Sequence, residues 1–271
     1  MGLDELVLTI ATANVNGIRA AFRRGMGAWV EARRPDVLLL QEVRAPQEML
    51  GDFLPPDRWD LAHAECRTKG RAGVGIASRL PMSAIRIGLD QDVVSNSGRW
   101  VEADLELPGG GALTVISTYV HSGTAETPTM DEKYHFLDLV TARLAELRAA
   151  GGYVVLTGDV NIAHRNIDIR NWKGNLKAAG FLPQERAYLD RWFDEQGWVD
   201  LGRRLGGDGP GPYTWWSWRG QAFDNDSGWR IDYQIASPEL ADRALRAEVD
   251  RAPSYAERWS DHAPLVVSYD L

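Results

Sequence analysis

VVLTGDVNIAH, residues 154–164, starts as a strand and ends in an acid and an amide two positions apart, Asp159 and Asn161. Its valines and leucine have the unbroken apolar character of a strand buried on both faces. Side chains two apart on a strand point to the same side, so Asp159 and Asn161 can both face one site. Alone, an Asp or Asn at a strand end is most often a turn former or a helix cap. The stretch gains meaning from how many others in the chain end the same way.

Reading outward, polar strand ends recur at TANVN (Asn14, Asn16), LLLQEVR (Glu42), STYVHS (Tyr119), WRIDY (Asp232) and RWSDHAPL (Asp261, His262). Glu42 closes a run of leucines, and a carboxylate carried into a buried strand end needs a partner or a metal. Separated strands that all finish in oxygen or imidazole groups are poorly explained as independent turns. Oxygen ligands without cysteines or an HExxH spacing suit Mg2+ or Mn2+ rather than zinc. Magnesium works with few carboxylates plus substrate phosphate, so the residues point to phosphoryl or phosphodiester chemistry. On the residues alone, the expectation is a metal-dependent phosphoesterase.

Further strands are read at LVLTIATANV, DVLLLQEV, GVGIASR, ALTVISTYV, RIDYQIAS and PLVVSYDL. WVEADLEL alternates, with Val101, Ala103, Leu105 and Leu107 on one face, which predicts a half-exposed strand entering the PGGG turn at 108–111. Helical period runs through MDEKYHFLDLVTARLAELRAAGG, where Tyr134, Leu137, Val140, Leu144 and Leu147 form one stripe. Asp131 and Glu132 suit its first turn and Gly151-Gly152 its stop. GMGAWVEARR, before Pro35, and PQERAYLDRWFDEQG read as two more helices. RRLGGDGPGP at 203–212 reads as a surface loop within the domain. This order predicts a single α/β domain over residues 1–271, with largely antiparallel or mixed sheets and helices outside. No glycine-rich dinucleotide fingerprint lies between a strand and a helix.

The formal charge is −8, which taken over the whole chain counts against a nucleic-acid partner but says little about any one groove. A single cysteine, Cys66, excludes an intrachain disulfide and cysteine-rich zinc sites. Asp4 and Glu5 precede a short apolar stretch, so neither a signal peptide nor a membrane span is expected, and the location expected is cytoplasmic. Of eleven tryptophans, Trp198, Trp215, Trp216, Trp218 and Trp229 crowd into one region. Core packing is the default for such side chains, but the four from Trp215 to Trp229, set among Gly and polar residues, fit a ligand-facing loop.

In this order, NVNGIRA (14–20), LLLQEVR (38–44), GVGIASR (73–79), GDVNIAH (158–164), NWKGNLKAAGFLPQER (171–186), YTWWSW (213–218), GWRIDY (228–233) and SDHAPL (260–265) closely resemble the exonuclease III family of apurinic/apyrimidinic endonucleases. The resemblance runs essentially from end to end. It implies a deoxyribonuclease I-like two-sheet sandwich with the site at one end of the sheets. It also implies hydrolysis of the phosphodiester 5′ to an abasic site in duplex DNA, with removal of nucleotides from 3′ ends as a companion activity. Glu42 then looks like the main Mg2+ ligand, with Asn16 and Asp261 on the metal side and Asp159 and Asn161 close by. Asp159 would orient or deprotonate the attacking water, and Asn161 would align it and touch the scissile phosphate. His262, paired with Asp232, would donate to a phosphate oxygen, and Tyr119 to the phosphate or leaving oxygen. Asn14, Arg19, Arg99 and Asn175 would meet the substrate, while Trp215, Trp229 and Ile231 resemble the apolar pocket for a flipped-out abasic sugar. The partner implied is double-stranded DNA with abasic sites or 3′ ends, bound by a monomer associated with the nucleoid.

Two stretches depart from the family pattern. Many relatives read Tyr-Val-Pro-Asn where this chain has Tyr119-Val120-His121-Ser122, and SGTAETPTMDEK lacks the arginine that some relatives insert into the duplex. Two other readings stand beside the nuclease: a phosphatase or phosphodiesterase of the same fold acting on a small phosphorylated substrate, and a DNA-binding protein without catalysis. The second predicts loss of Glu42, Asp159 or His262, and all three are present.

Overall fold

Twelve strands form among the residues described by the computed structural model, 7–89 and 97–271. Asp4, Glu5 and Leu6 of the sequence reading lie outside the described residues. In chain order the strands are β1 (Val7–Asn14), β2 (Val37–Gln41), β3 (Asp60–Ala64), β4 (Val74–Ser78), β5 (Met82–Ile87) and β6 (Trp100–Glu106). They continue as β7 (Ala112–Tyr119), β8 (Tyr153–Asp159), β9 (Val199–Asp200), β10 (Asp232–Ala236), β11 (Ala244–Val249) and β12 (Leu265–Asp270). One sheet has the order β11-β12-β1-β2-β4-β3 and the other β5-β6-β7-β8-β10-β9.

Each sheet is mixed in the same way. One parallel pair, β1 with β2 or β7 with β8, sits at its centre, and the flanking pairs are antiparallel. A parallel pair needs a crossover connection. The helices Ile18–Arg23 and Met26–Arg33 supply one, and the 23-residue helix Pro128–Ala150 supplies the other. The carboxyl ends of both pairs reach the same end of the sandwich, the place where α/β sheets present ligands.

Three apolar clusters set the layers. Val37, Leu39, Ile76, Val101, Leu105, Val115, Val155 and Val267 fill the space between the sheets. Phe136, Leu137, Val140 and Leu144 bind the long helix to the outer face of the second sheet. Ile18, Met26, Val30 and Leu50 cover the first sheet. Toward the parallel strand ends the inter-sheet space turns polar, and its glutamines are bonded at both sheets. Gln41 Nε2 donates to Thr12 Oγ1 and Ser117 Oγ, both at 3.0 Å, and Gln234 Nε2 donates to the carbonyls of Ile10 and Leu265 at 2.9 and 3.0 Å.

Three elements differ from expectation. β6 is not half-exposed: its second face carries Trp100 and Glu102, and the Glu102 carboxylate is buried against Arg86 and Arg143. Alternation with acids suggested water where arginines supply the counter-charge. The helix from Pro183 ends at Asp190 and widens into a π turn over Arg191–Glu195, with Trp192 buried and its Nε1 bonded to Thr141 Oγ1 at 2.8 Å. The first part of the 203–212 loop is helical, because Asp200 caps Leu201–Gly206 by accepting from the Arg203 N–H at 3.1 Å. No helix among the described residues is long and apolar enough to cross a membrane.

One buried cation fixes the entry to β10. Arg230 is 2% exposed; it donates to Asp168 Oδ1 at 2.8 Å and to both oxygens of Asp200 at 3.1 and 2.7 Å. Removing one partner of a buried ion network leaves uncompensated charge, typically at a cost of about 3–5 kcal/mol. Arg230→Met is therefore expected to lower the melting temperature by roughly 5–15 °C, measured by calorimetry. A value within about 2 °C of the unmodified protein would contradict this role for Arg230.

Candidate active site

Register places the acids in rows. On the second sheet Tyr119, Asp159 and Asp232 are direct neighbours across β7, β8 and β10. Gly158 precedes the central acid with φ +135°, and a Cβ there would stand 2.0 Å from the Thr118 carbonyl oxygen, so only glycine lets β7 and β8 come this close. On the first sheet Asn14 lies beside Gln41, and Glu42 follows directly.

The chain then turns sharply at each strand end. Asn16, Glu42, Arg44 and Asn161 have φ of +46°, +48°, +52° and +51°, a region that residues other than glycine adopt at a cost of about 1–3 kcal/mol. Surrounding bonds hold them there. The Asn161 N–H donates to Asp159 Oδ1 at 2.9 Å, and its Nδ2 donates to Asp159 Oδ2 at 3.1 Å and the Val120 carbonyl at 2.8 Å. The Glu42 carbonyl accepts from Gly17 N at 2.8 Å, while Val43 N and Arg44 N donate to Gly73 and Ala72, both at 2.9 Å.

Asn14 joins the two sheets. Its Nδ2 donates to Glu42 Oε1 and to Asp159 Oδ2, both at 2.9 Å, and its Oδ1 accepts from Asn16 N at 3.0 Å. Both ends of this wholly buried side chain are thus occupied within the protein. The sequence reading makes Asn14 a substrate contact; in the structure its side chain bonds Glu42, Asp159 and the Asn16 N–H and so aims two carboxylates at one point. Ser260, a residue the sequence reading did not use, secures it by donating Oγ to the Asn14 carbonyl at 2.7 Å. A glutamate, an aspartate and His262 thereby converge, with ligand atoms of Glu42, Asp159 and His262 all within 4.8 Å of one another. Asn16 and Asp261 form a neighbouring pair, Nδ2 to Oδ1 at 2.8 Å, and Trp215 Nε1 donates to the other Asp261 oxygen at 3.2 Å.

His262 Nδ1 lies 2.8 Å from Asp232 Oδ2, and its Nε2 faces Asp159 Oδ2 at 3.7 Å. Burial disfavours the imidazolium, but Asp232 and Asp159 outweigh it and raise His262 above the ordinary histidine range. Asp159 is also pushed up, by burial and by the charges of Asp232 and Glu42, against the pull of His262. Burial opposes ionisation of Asp261 too, yet His262, Trp215 and Asn16 hold its carboxyl below the usual range. Glu42, Asp159, Asp232 and Asp261 gather around a single imidazole, His262. Hard oxygen donors around an excess of buried negative charge fit a divalent cation, with Glu42 and Asp159 as the groups that would hold it.

Two different walls flank the acids. On one side Arg44, Arg71, Arg99 and His121 line a cavity of about 680 Å³ that includes Glu42 and Tyr119. Arg99 lies 5.4 Å over the Tyr119 ring, its Nη1 has no hydrogen-bond partner among the described residues, and burial lowers its pKa from the ordinary guanidinium value. His121 Nε2 meets the Thr129 carbonyl at 3.0 Å. On the other side Trp215 and Trp229 stand edge to face at 6.2 Å, and Ile231 is buried with Ala163, Ile169 and Phe181 behind them. Trp216 departs from the ligand-facing expectation: it is buried against Phe223, with its Nε1 bonded to Asp226 at 2.9 Å. Arg19 is exposed on the helix Ile18–Arg23, and Asn175 closes a short turn with its Nδ2 bonded to the Asn171 carbonyl at 2.8 Å.

The Endonuclease/Exonuclease/phosphatase family profile matches residues 11–262. Exodeoxyribonuclease III of Haemophilus influenzae is 30% identical over 263 residues, covering 93% of this chain and 96% of that protein. An AP endonuclease from Archaeoglobus fulgidus superposes with a TM-score of 0.86 at 27% identity, covering 97% of this chain and 100% of that one. A Neisseria 3′ phosphatase bound to a product DNA hairpin gives the same score, identity and coverage.

Burial first, and then the charges of Glu42 and Asp159, raise the pKa of the Tyr119 phenol well above the ordinary value, so it keeps its proton. Tyr119→Phe is expected to lower kcat about 10²–10³-fold, the usual cost of losing a preorganised donor. Because the phenol stays protonated as pH rises, the ratio of wild type to variant should be flat from about pH 6 to pH 9. A ratio that collapses toward one across that range would show that Tyr119 ionises and is not the donor.

Proposed function

The chain belongs to the Endonuclease/Exonuclease/phosphatase family and is a hydrolytic nuclease of DNA repair, and we propose that it cuts the phosphodiester 5′ to abasic sites in duplex DNA with Mg2+ or Mn2+, trimming 3′ ends as well. The observation that carries this reading is the single Asn14 amide that bonds Glu42 and Asp159 from opposite sheets and directs both at one point.

Each side chain has a task set by its surroundings. Asp159, with one oxygen shared by the amides of Asn14 and Asn161, orients the attacking water and takes its proton. The His262 imidazolium, fixed through Nδ1 by Asp232, presents Nε2 as a charged donor to a phosphate oxygen. Tyr119 donates from the opposite edge, toward the phosphate or the departing 3′ oxygen. Glu42 and Asp159, with Asn16, Asn161 and Asp261 around them, would hold the cation, which supplies charge neutralisation on the phosphate and a more acidic water.

Recognition belongs to the flanking walls. Trp215, Trp229 and Ile231 offer an apolar surface that suits a sugar without a base, and such a sugar costs little to extrude from the duplex. Arg99 and Arg71 suit backbone phosphates on the other side, where Arg44 is paired with Glu42, while Arg19 and Asn175 would meet the strand further out. The wall of two tryptophans beside the acids favours the nuclease over a same-fold phosphatase acting on a small phosphorylated substrate.

A labelled duplex with one abasic-site analogue, beside an intact control, tests the proposal. Incision 5′ to the analogue is expected with Mg2+, and is expected to disappear with EDTA and with Asp159→Ala. An analogue left intact under every divalent ion would sink the abasic-site reading and redirect attention to 3′-phosphate ends and small phosphorylated substrates.

A further inference from the structure

A lysine occupies the apolar stripe of the long helix. The buried residues of Pro128–Ala150 include Met130, Lys133, Leu137, Val140, Leu144 and Leu147, a spacing of threes and fours that calls for apolar side chains. Lys133 is wholly buried, and its three ammonium protons match three acceptors. Nζ donates to the Ser122 carbonyl at 3.0 Å, the Asn161 carbonyl at 2.9 Å and Glu185 Oε1 at 2.5 Å.

Glu185 is buried as completely, and its other oxygen accepts from the N–H groups of Gly180 and Leu182 at 2.7 and 3.0 Å. The Gly180 carbonyl accepts from Ala163 N at 2.8 Å. A Cβ on Gly180 would stand 3.1 Å from both the Asn161 carbonyl and the Trp229 ring. The ion pair therefore joins three segments: the chain after β7 at Ser122, the chain after β8 at Asn161, and the turn that backs Trp229.

Stability alone does not account for it. Burying two ions commonly costs more than their attraction returns, and an apolar pair of similar volume is often as stable or more so. Burial pulls the Lys133 ammonium below the usual lysine range, against the attraction of Glu185. An apolar pair could not, however, hold two carbonyls that no strand or helix partner satisfies. The Asn161 N–H and side chain are already fixed by Asp159 and Val120, and its carbonyl is the remaining free end of a left-handed residue.

We propose that Lys133, braced by Glu185, is a positioning residue that holds Asn161 in its working conformation and ties it to the tryptophan wall. Lys133 touches no substrate; it acts through Asn161. The inference rests on the functional reading above only for the choice of substrate.

The test is a double-mutant cycle on duplex carrying the abasic analogue. Lys133→Met/Glu185→Gln removes both charges and keeps an acceptor for Gly180 and Leu182; it is combined with Asn161→Gly. Melting curves accompany kcat and KM, with single-turnover rates for slow variants. The charge-free pair is expected to melt close to wild type while kcat falls about 10–100-fold and KM moves less than about threefold. In the Asn161→Gly background the same replacement is expected to change the rate less than about threefold, since residues acting as a unit are not additive. An unchanged kcat, a change confined to KM, or an equal loss in both backgrounds would overturn the proposal. Should the pair variant not fold, Lys133→Arg, which keeps the charges but moves the donors, takes its place with the same two outcomes. If wild type spares the abasic duplex but cleaves 3′-phosphate ends, the functional reading falls and the cycle on that ester still decides this one. A wild type inert on every phosphoester overturns both.

Discussion

Negative charge gathered where two sheets meet is the constraint on which the rest of this structure depends. Glu42 comes from the first sheet, Asp159 and Asp232 from the second, where both are buried, and Glu42 and Asp159 converge with His262. Buried carboxylates need partners. Asn14 spans Glu42 and Asp159, and His262 stands between Asp159 and Asp232. The left-handed turns at Asn16, Glu42 and Asn161 keep the acids facing inward after their strands have ended. Such backbone strain persists because the hydrogen bonds around it over-determine the path.

The architecture explains why the acids meet. Each sheet carries one parallel pair at its centre, and each pair delivers its polar residues at its carboxyl end. Packing the sheets face to face sets these two ends against each other. The crossover helices pack on the outer faces of the two sheets and leave that end open to a ligand. A net charge of −8 is compatible with a polyanionic substrate because charge is arranged locally. Arg44, Arg71 and Arg99 line the cavity beside the acids, whereas Glu31, Glu146, Glu239 and Asp242 pair with arginines elsewhere.

Much of the site was legible because strand ends and site residues coincide. Apolar, β-branched runs located the strands, and the acids, amides and imidazole stood where those runs stopped. The individual roles were less visible. Nothing local in TANVN distinguishes Asn14, which is closed off inside the protein, from Asn16 beside it, because the difference lies in a residue 145 positions away. Glu102 looked like a water-facing acid because Arg143 reaches it from a helix 41 residues on. Lys133 did leave a signal, a charge inside an otherwise apolar stripe, but its acceptors are carbonyls that a sequence does not display. Arg230, within GWRIDY, gave no hint that it bonds Asp168 and Asp200.

The central claim, that these carboxylates form a cation site assembled across two sheets, is tested most directly by binding rather than by turnover. Titration of the protein with Mn2+, followed by loss of the free-ion paramagnetic signal, would compare wild type with Glu42→Gln and Asn14→Ala. The account predicts saturable binding by wild type, with affinity weakened at least about tenfold by Glu42→Gln and measurably by Asn14→Ala. Binding unaltered by either substitution would contradict it.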